Sequence, residues 1–339
     1  MRDLLAELLP APTLYPQKFD PVRDTVYFVG LDEAAYRAAS FLDDRVLAPG
    51  LQGSWLPYPA VEQALRGAGA GKPLHFIFHS GHVGSTLLSR LIDEAGGVLG
   101  LREPLPLRTL AEMQDQLGAG GSEPLEARLA TFVNLWQRGF AQTETIVLKA
   151  TSSAGRLAPR LLAASPSSRA VYLNLRPEPY LATLLAGANA AMDLRGFELE
   201  RRRRLRGMLG DVVPAPASIG ELSAVSWLAE SLMRAHTLET FGPRVLPLDF
   251  EQLLANLAAT LAQVLAHFEI GAAPGFAEAI GASAVLTRYS KAPLQYSYSP
   301  AMRAQLLAQA RAEQGGEIAK GLKFLERIAA KDARVAALL

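Results

Sequence analysis

LHFIFHSGHVGSTLLSRLID, residues 74–93, decides the fold. It opens with an apolar run that ends at His79, and a run apolar on both faces reads as a parallel strand covered on both sides. Gly81 and Gly84 follow, and glycine lets a backbone turn sharply and approach an anion closely. Ser85 and Thr86 then open a helical pattern, so their N–H groups and hydroxyls stand at the positive end of a helix dipole, where a phosphate binds. The plainer reading is a strand-to-helix turn with small residues for packing. A position at the carboxyl end of a parallel strand favours a ligand, because open α/β sheets bind there.

The same grammar extends outward. TIVLK (145–149), AVYLNL (170–175) and RVLPLDF (244–250) read as further apolar strands. Helical patterns follow them near 154–164, 178–190 and 251–268. Strands alternating with helices predict an α/β fold in three layers, a central parallel sheet flanked by helices. Residues 1–72 read as an N-terminal extension, where Pro10, Pro12, Pro16 and Pro21 forbid a long helix. Within it, 24–30 reads as a strand and 32–47 as a helix capped by Asp32. RGAGAGKP (66–73) is a linker, which leaves 73–339 as the main domain. A helical insertion at about 190–240 carries ELERRRRLR, an arginine run that reads as a solvated helix face or an anion-binding surface. The tail from Ser299 reads as two amphipathic helices separated near Gly315 and Gly316.

Composition narrows the function classes. The 339 residues hold 34 Lys plus Arg against 33 Asp plus Glu, which argues against a nucleic-acid partner. With no cysteine, disulfides, thiolate zinc sites and cysteine nucleophiles are excluded. Five scattered histidines without an HExxH pattern predict no metal site. No long uncharged apolar run predicts a transmembrane helix, and Glu7 and Pro10 break the N-terminal apolar stretch, so a cytoplasmic location fits.

The loop lacks the lysine of GxxxxGK[ST], and its glycine spacing is too short for that motif, which turns it away from ATP-driven phosphoryl transfer. Gly84-Ser85-Thr86 instead resembles the start of the phosphate-binding helix of sulfotransferases, and the resemblance continues in order. LREPLPL places Glu103 after the first helix, YLNLRPEP places Arg176 at a strand end, and a helix bearing Trp227 precedes VLPLDFEQLL. Together these cover roughly 74–270 and resemble bacterial sulfotransferases related to the tyrosylprotein type.

The resemblance implies a P-loop-type three-layer fold, 3′-phosphoadenosine 5′-phosphosulfate as co-substrate, a hydroxyl or amine acceptor and no required metal. Glu103 would be the base. Gly81, Gly84, Ser85 and Thr86 would hold the 5′-phosphosulfate, and His82 would stabilise the leaving oxygen where the family has Lys or Arg. Arg176 would hold the 3′-phosphate together with Thr183, which lies beside Leu184, the position of the family's serine. Lys291, in RYSKAPLQYSYSP, belongs to a loop of the kind that folds over the donor or to a plain surface loop, and Lys149, at a strand end, reads as structural or as facing the same crevice. A P-loop kinase or nucleotide hydrolase, and a non-catalytic nucleotide-binding relative supported by His82, are the alternatives.

Overall fold

The computed structural model describes Leu5, Leu8 and residues 11–66, 71–117, 123–187, 190–287 and 299–339. The N-terminal region is an antiparallel meander of β1 (Leu14–Asp20), β2 (Thr25–Gly30) and β3 (Gly53–Pro57). The helix expected over 32–47 is shorter, Glu33–Ala38, with the Asp32 carboxylate accepting from the Ala35 N–H. A separate 3-10 turn, Asp44–Val46, follows because Asp43 caps the Arg45 N–H and starts a new turn.

The central sheet is the expected α/β arrangement. It comprises β4 (Leu74–His79), β5 (Val98–Arg102), β6 (Thr145–Lys149), β7 (Ala170–Asn174) and β8 (Val245–Asp249), in the spatial order β5-β6-β4-β7-β8. All neighbouring pairs are parallel. The chain fills one side of β4 with β5 and β6, then crosses to β7 and β8 on the other. The crevice at the carboxyl ends of β4 and its neighbours is therefore a topological switch point, where such sheets bind ligands.

Alternation along the strands assigns the two faces. Phe76, Phe78 and Tyr172 join a core shared with the N-terminal meander and with the helix Glu123–Trp136. Ile77, Val171 and Leu173 join the opposite core, under the helices Ser85–Asp93 and Ile219–Phe241. Each such side chain contributes about 1.5–3 kcal/mol by leaving water.

The C-terminal segment corrects the expected break. One helix, Pro300–Ala329, runs through Gly315 and Gly316. Glycine weakens a helix by about 1 kcal/mol, which tertiary packing overrides here. A methyl group on Gly220 would run into the Glu317 backbone, and one on Gly321 would run into Leu181 and the Gly220 carbonyl. The two helices thus meet backbone to backbone. The Glu317 carboxylate accepts from the Gly220 N–H at 2.9 Å. Hydrogen bonds from Lys320 and from that N–H hold its pKa down to about 2. Among the described residues no helix is long and apolar enough to cross a membrane.

At the amino end of β4, opposite the glycine-rich loop, the His75 ring stacks on Phe268 at 5.0 Å. Its Nδ1 accepts from the Arg169 N–H at 3.1 Å, which requires the neutral ring. Burial, with the charges of Arg169 and His267, pushes its pKa from 6.5 to about 4. The unfolded chain therefore binds this proton more readily. Stability present above pH 6.5 is lost as the pH falls toward 4, by about 2–3 kcal/mol. Urea midpoints measured across that window should fall in the wild type and flatten in His75→Gln. Parallel curves would remove His75 as the cause.

Candidate active site

The loop is fixed at both ends. The Gly81 N–H donates to His79 Nδ1 (3.1 Å), so Nε2 carries the ring proton and donates to the Ala150 carbonyl (2.9 Å). His79 thereby ties the exit of β4 to that of β6. The buried Tyr180 hydroxyl donates to the Ser80 carbonyl at 3.0 Å and lies 3.1 Å from Ser226 Oγ. Burial raises its pKa to about 12, so it remains a donor at neutral pH. Val83 is fully buried and anchors the middle of the loop.

Between these anchors the backbone is left-handed at Gly81 (φ 97°), His82 (φ 55°) and Gly84 (φ 72°). Gly84 is the N-cap of the helix Ser85–Asp93, and no side chain caps that end. The first-turn N–H groups of a helix need partners from outside it. Ser85 and Thr86 are buried, and Thr86 Oγ1 has no hydrogen-bond partner among the described residues. The loop is pinned, no side chain caps the helix start, and the buried Thr86 hydroxyl has no partner among the described residues, an arrangement whose donors an anion could meet.

Glu103 follows β5 and meets the end of β6, the strand that lies between β5 and β4. Its predecessor Arg102 is buried, pairs with Asp93 and donates to the Ala39 carbonyl at 2.9 Å. The strand end is thus held on both sides. Glu103 is itself left-handed (φ 55°), and its N–H donates to the Lys149 carbonyl at 2.7 Å. Its carboxylate pairs with the Lys149 ammonium, which is 1% exposed against 13% for Glu103. Non-glycine residues held left-handed store about 1–3 kcal/mol of strain and cluster at functional sites. Among the described residues they are Asp24, His82, Glu103 and Glu269, so both nominated catalytic side chains are among them. Lys149, read from the sequence as structural, proves to be the partner of the nominated base.

A second group lies across the loop. Arg176 stands at the N-cap position of the helix Pro177–Leu185 without a side-chain cap bond and is largely exposed, 3.6 Å from Glu251 Oε2. Trp227 Nε1 donates to the Leu175 carbonyl at 2.8 Å and so fixes the approach to Arg176. The sequence reading passes over Arg303, one turn into the C-terminal helix. It reaches Glu251 Oε1 at 3.7 Å and lies over the Phe250 ring at 5.0 Å. Its buried Nη2 has no hydrogen-bond partner among the described residues. The same Phe250 ring abuts Gly84, so two arginines meet one carboxylate beside the loop. The only sequence signal for Arg303 is its place just after the Ser299 cap.

The remaining nominations and the polar residues near them settle differently. Thr183 donates its hydroxyl to the Pro179 carbonyl in its own helix, at 2.7 Å, and would have to rotate to reach a phosphate. Glu178 pairs with Arg311 at 2.8 Å. Asp249 caps the helix Phe250–Ala255 through two backbone N–H groups. Lys291, with Tyr289 and Ser290, lies outside the described residues. The arginine run is mixed: Arg201, Arg202 and Arg206 pair on the surface with Asp193, Glu198 and Asp211. Arg204 turns inward to Glu200 and Glu230, each at 2.7 Å. Among the described residues no group of three or more His, Asp or Glu is arranged to hold a metal ion.

No protein-family model matches the chain, and no curated protein matches it. Among solved structures it is similar to the sulfotransferase domain from the curacin biosynthetic pathway, at 15% identity and TM-score 0.39, over 77% of this chain and 97% of that one. It is also similar to a sulfotransferase from Alicyclobacillus acidocaldarius, at 14% identity and TM-score 0.41, over 77% and 96%. Sulfotransferase STF1 from Mycobacterium tuberculosis gives 15% identity and TM-score 0.38, over 74% and 82%. All three are bacterial sulfotransferases. What this site can do is read from its own residues.

Proposed function

We propose that the chain transfers a sulfuryl group from 3′-phosphoadenosine 5′-phosphosulfate to a hydroxyl or amine acceptor. The observation that carries this reading is the juxtaposition of a lysine-free anion loop with the Glu103–Lys149 pair at one switch-point crevice. A loop without the P-loop lysine suits a moving group less charged than a phosphoryl group. Gly81, Gly84, Ser85 and Thr86 take the 5′-phosphosulfate, and Arg176, with Arg303, supplies charge for the 3′-phosphate. Thr183 and Lys291 keep the donor-side roles that the sequence resemblance implies.

In the reaction the acceptor oxygen forms a bond to sulfur as the bond from sulfur to the bridging phosphate oxygen breaks. The acceptor proton passes to Glu103. Charge gathering on the departing phosphate oxygen is met by the helix start, by Lys149 and by His82.

Thermal unfolding tests the donor assignment. Adenosine 3′,5′-bisphosphate should raise Tm, and ATP with magnesium should not. The double variant Ser85→Ala/Thr86→Ala should lose most of that shift, with affinity down about a hundredfold, or about 2.7 kcal/mol. Wild-type binding in the double variant would remove the loop from the donor site. A shift with ATP and magnesium alone would favour a kinase.

A further inference from the structure

Arginines and carboxylates gather where β7 and β8 end. The two strands are parallel neighbours, and Asn174 stands opposite Asp249. Arg176 lies two residues past Asn174, and Glu251 two residues past Asp249. The helix Pro300–Ala329 brings Arg303 to Glu251 and Arg311 to Glu178.

The other carboxylates here are committed. Glu178 accepts from Arg311 through both of its oxygens, at 2.8 Å each. Asp249 accepts from the Glu251 and Gln252 N–H groups at 2.9 and 3.1 Å. Among the described residues, Glu251 is therefore the one carboxylate that Arg176 and Arg303 share. Its Oε2 lies 3.6 Å from Arg176 Nη2, and its Oε1 lies 3.7 Å from Arg303 Nη1. Both distances exceed the roughly 2.7–3.2 Å of an N–H···O bond. Glu251 thus bridges the two guanidinium groups by charge without forming the two-pronged bonds they make to a well-placed oxyanion.

A phosphate monoester suits this pair of arginines better. It carries about −1.5 to −2 charge at neutral pH and has three acceptor oxygens, against the single charge of a carboxylate. Space is present as well, since Arg176, Asp249 and Glu251 line an open cleft of about 560 Å³. The cleft also borders the loop, because Phe250, under the Arg303 guanidinium, abuts Gly84.

Resting on the sulfuryl-transfer reading, we propose that Glu251 is a built-in competitor for the 3′-phosphate of the nucleotide. In the free protein its carboxylate holds Arg176 and Arg303, and it turns aside when the phosphate takes them. Its side chain is 35% exposed and stands in the first turn of the helix Phe250–Ala255. The displaced carboxylate accordingly turns to water at the helix end where an acid is favourable. Losing its arginines to a neighbouring phosphate makes every 3′-phosphorylated nucleotide bind more weakly. Donor and desulfated product carry the same 3′-phosphate, so both are weakened alike and the product leaves sooner. A uniform weakening of this kind raises KM without changing the chemical step.

Calorimetric titration of the full chain tests this with adenosine 3′,5′-bisphosphate and adenosine 5′-monophosphate, which differ only in the 3′-phosphate. The wild type should prefer the bisphosphate. Glu251→Gln should bind the bisphosphate about tenfold more tightly, or by about 1.4 kcal/mol, and bind the monophosphate as the wild type does. Arg303→Gln should lose much of the preference for the bisphosphate. A gain confined to one nucleotide does not arise from a damaged fold, and Glu251→Ala carries the same expectation should the glutamine variant not fold. Bisphosphate affinity unchanged or lowered in Glu251→Gln, an equal gain for the monophosphate, or a wild type that binds both nucleotides alike would overturn the proposal. Failure of the wild type to bind the bisphosphate at all would instead overturn the sulfuryl-transfer reading.

Discussion

Gly84→Ala is expected to abolish binding of adenosine 3′,5′-bisphosphate and to lower the unfolding free energy by about 2–4 kcal/mol. Two effects add. Gly84 is left-handed at φ 72°, which alanine adopts with strain, and the new methyl would overlap the Phe250 ring. Gly81 separates them. It is also left-handed, at φ 97°, but its nearest neighbour, Ser152, is 3.5 Å from the position of an added Cβ. Gly81→Ala should therefore show the strain alone, about 1 kcal/mol, and a smaller loss of binding. The double variant Gly84→Ala/Phe250→Ala should regain part of the lost binding, because the clash is gone and only the strain remains. Calorimetric titration with the nucleotide and urea unfolding measure both quantities. Unchanged nucleotide affinity in Gly84→Ala would mean that the anion binds elsewhere.

The fold was legible where burial on both faces wrote an unbroken apolar run. LHFIFH, TIVLK and AVYLN are such runs, and with the partly exposed edge strand VLPLD they are strands of the central sheet. VLGLR at 98–102 was not legible, because Gly100 interrupts it. That glycine is there because any side chain would collide with the Asp93 carboxylate, a contact no local pattern reveals. Gly315 and Gly316 misled in the opposite direction: they look like a break, yet packing at Gly220 and Gly321 carries the helix through. At the candidate site, the loop was visible because strand ends and glycines are local signals, whereas Glu103 entered only through the family resemblance. Arg303 and the pairing of Lys149 were not visible, since their meaning lies in what they meet across the fold: Glu251 and Phe250 for one, Glu103 for the other. Arg204 shows the same limit, as one arginine of a run is drawn inward by Glu230 on a different helix.

Glu103→Gln should reduce sulfuryl transfer about 10²–10⁴-fold, the usual contribution of a positioned base, with nucleotide binding retained. Transfer of labelled sulfate from the donor into an extract measures the first, and titration with adenosine 3′,5′-bisphosphate the second. Stability must be followed in parallel, because Lys149 is 1% exposed and pairs with this carboxylate. Removing one partner of a buried pair leaves the other charge uncompensated, at a penalty of about 3–5 kcal/mol. Glutamine keeps an acceptor for the ammonium and should lie below that range, whereas Glu103→Leu should reach it. Exchanging both partners, as Glu103→Leu/Lys149→Met, should recover most of the stability, since an apolar pair of similar volume is often neutral. It should recover none of the transfer. That divergence distinguishes chemistry from scaffolding: a pair that only holds β5 to β6 would lose and regain activity along with stability. Near wild-type transfer in Glu103→Gln would remove Glu103 as the base and leave the pair as a clamp between two strand ends.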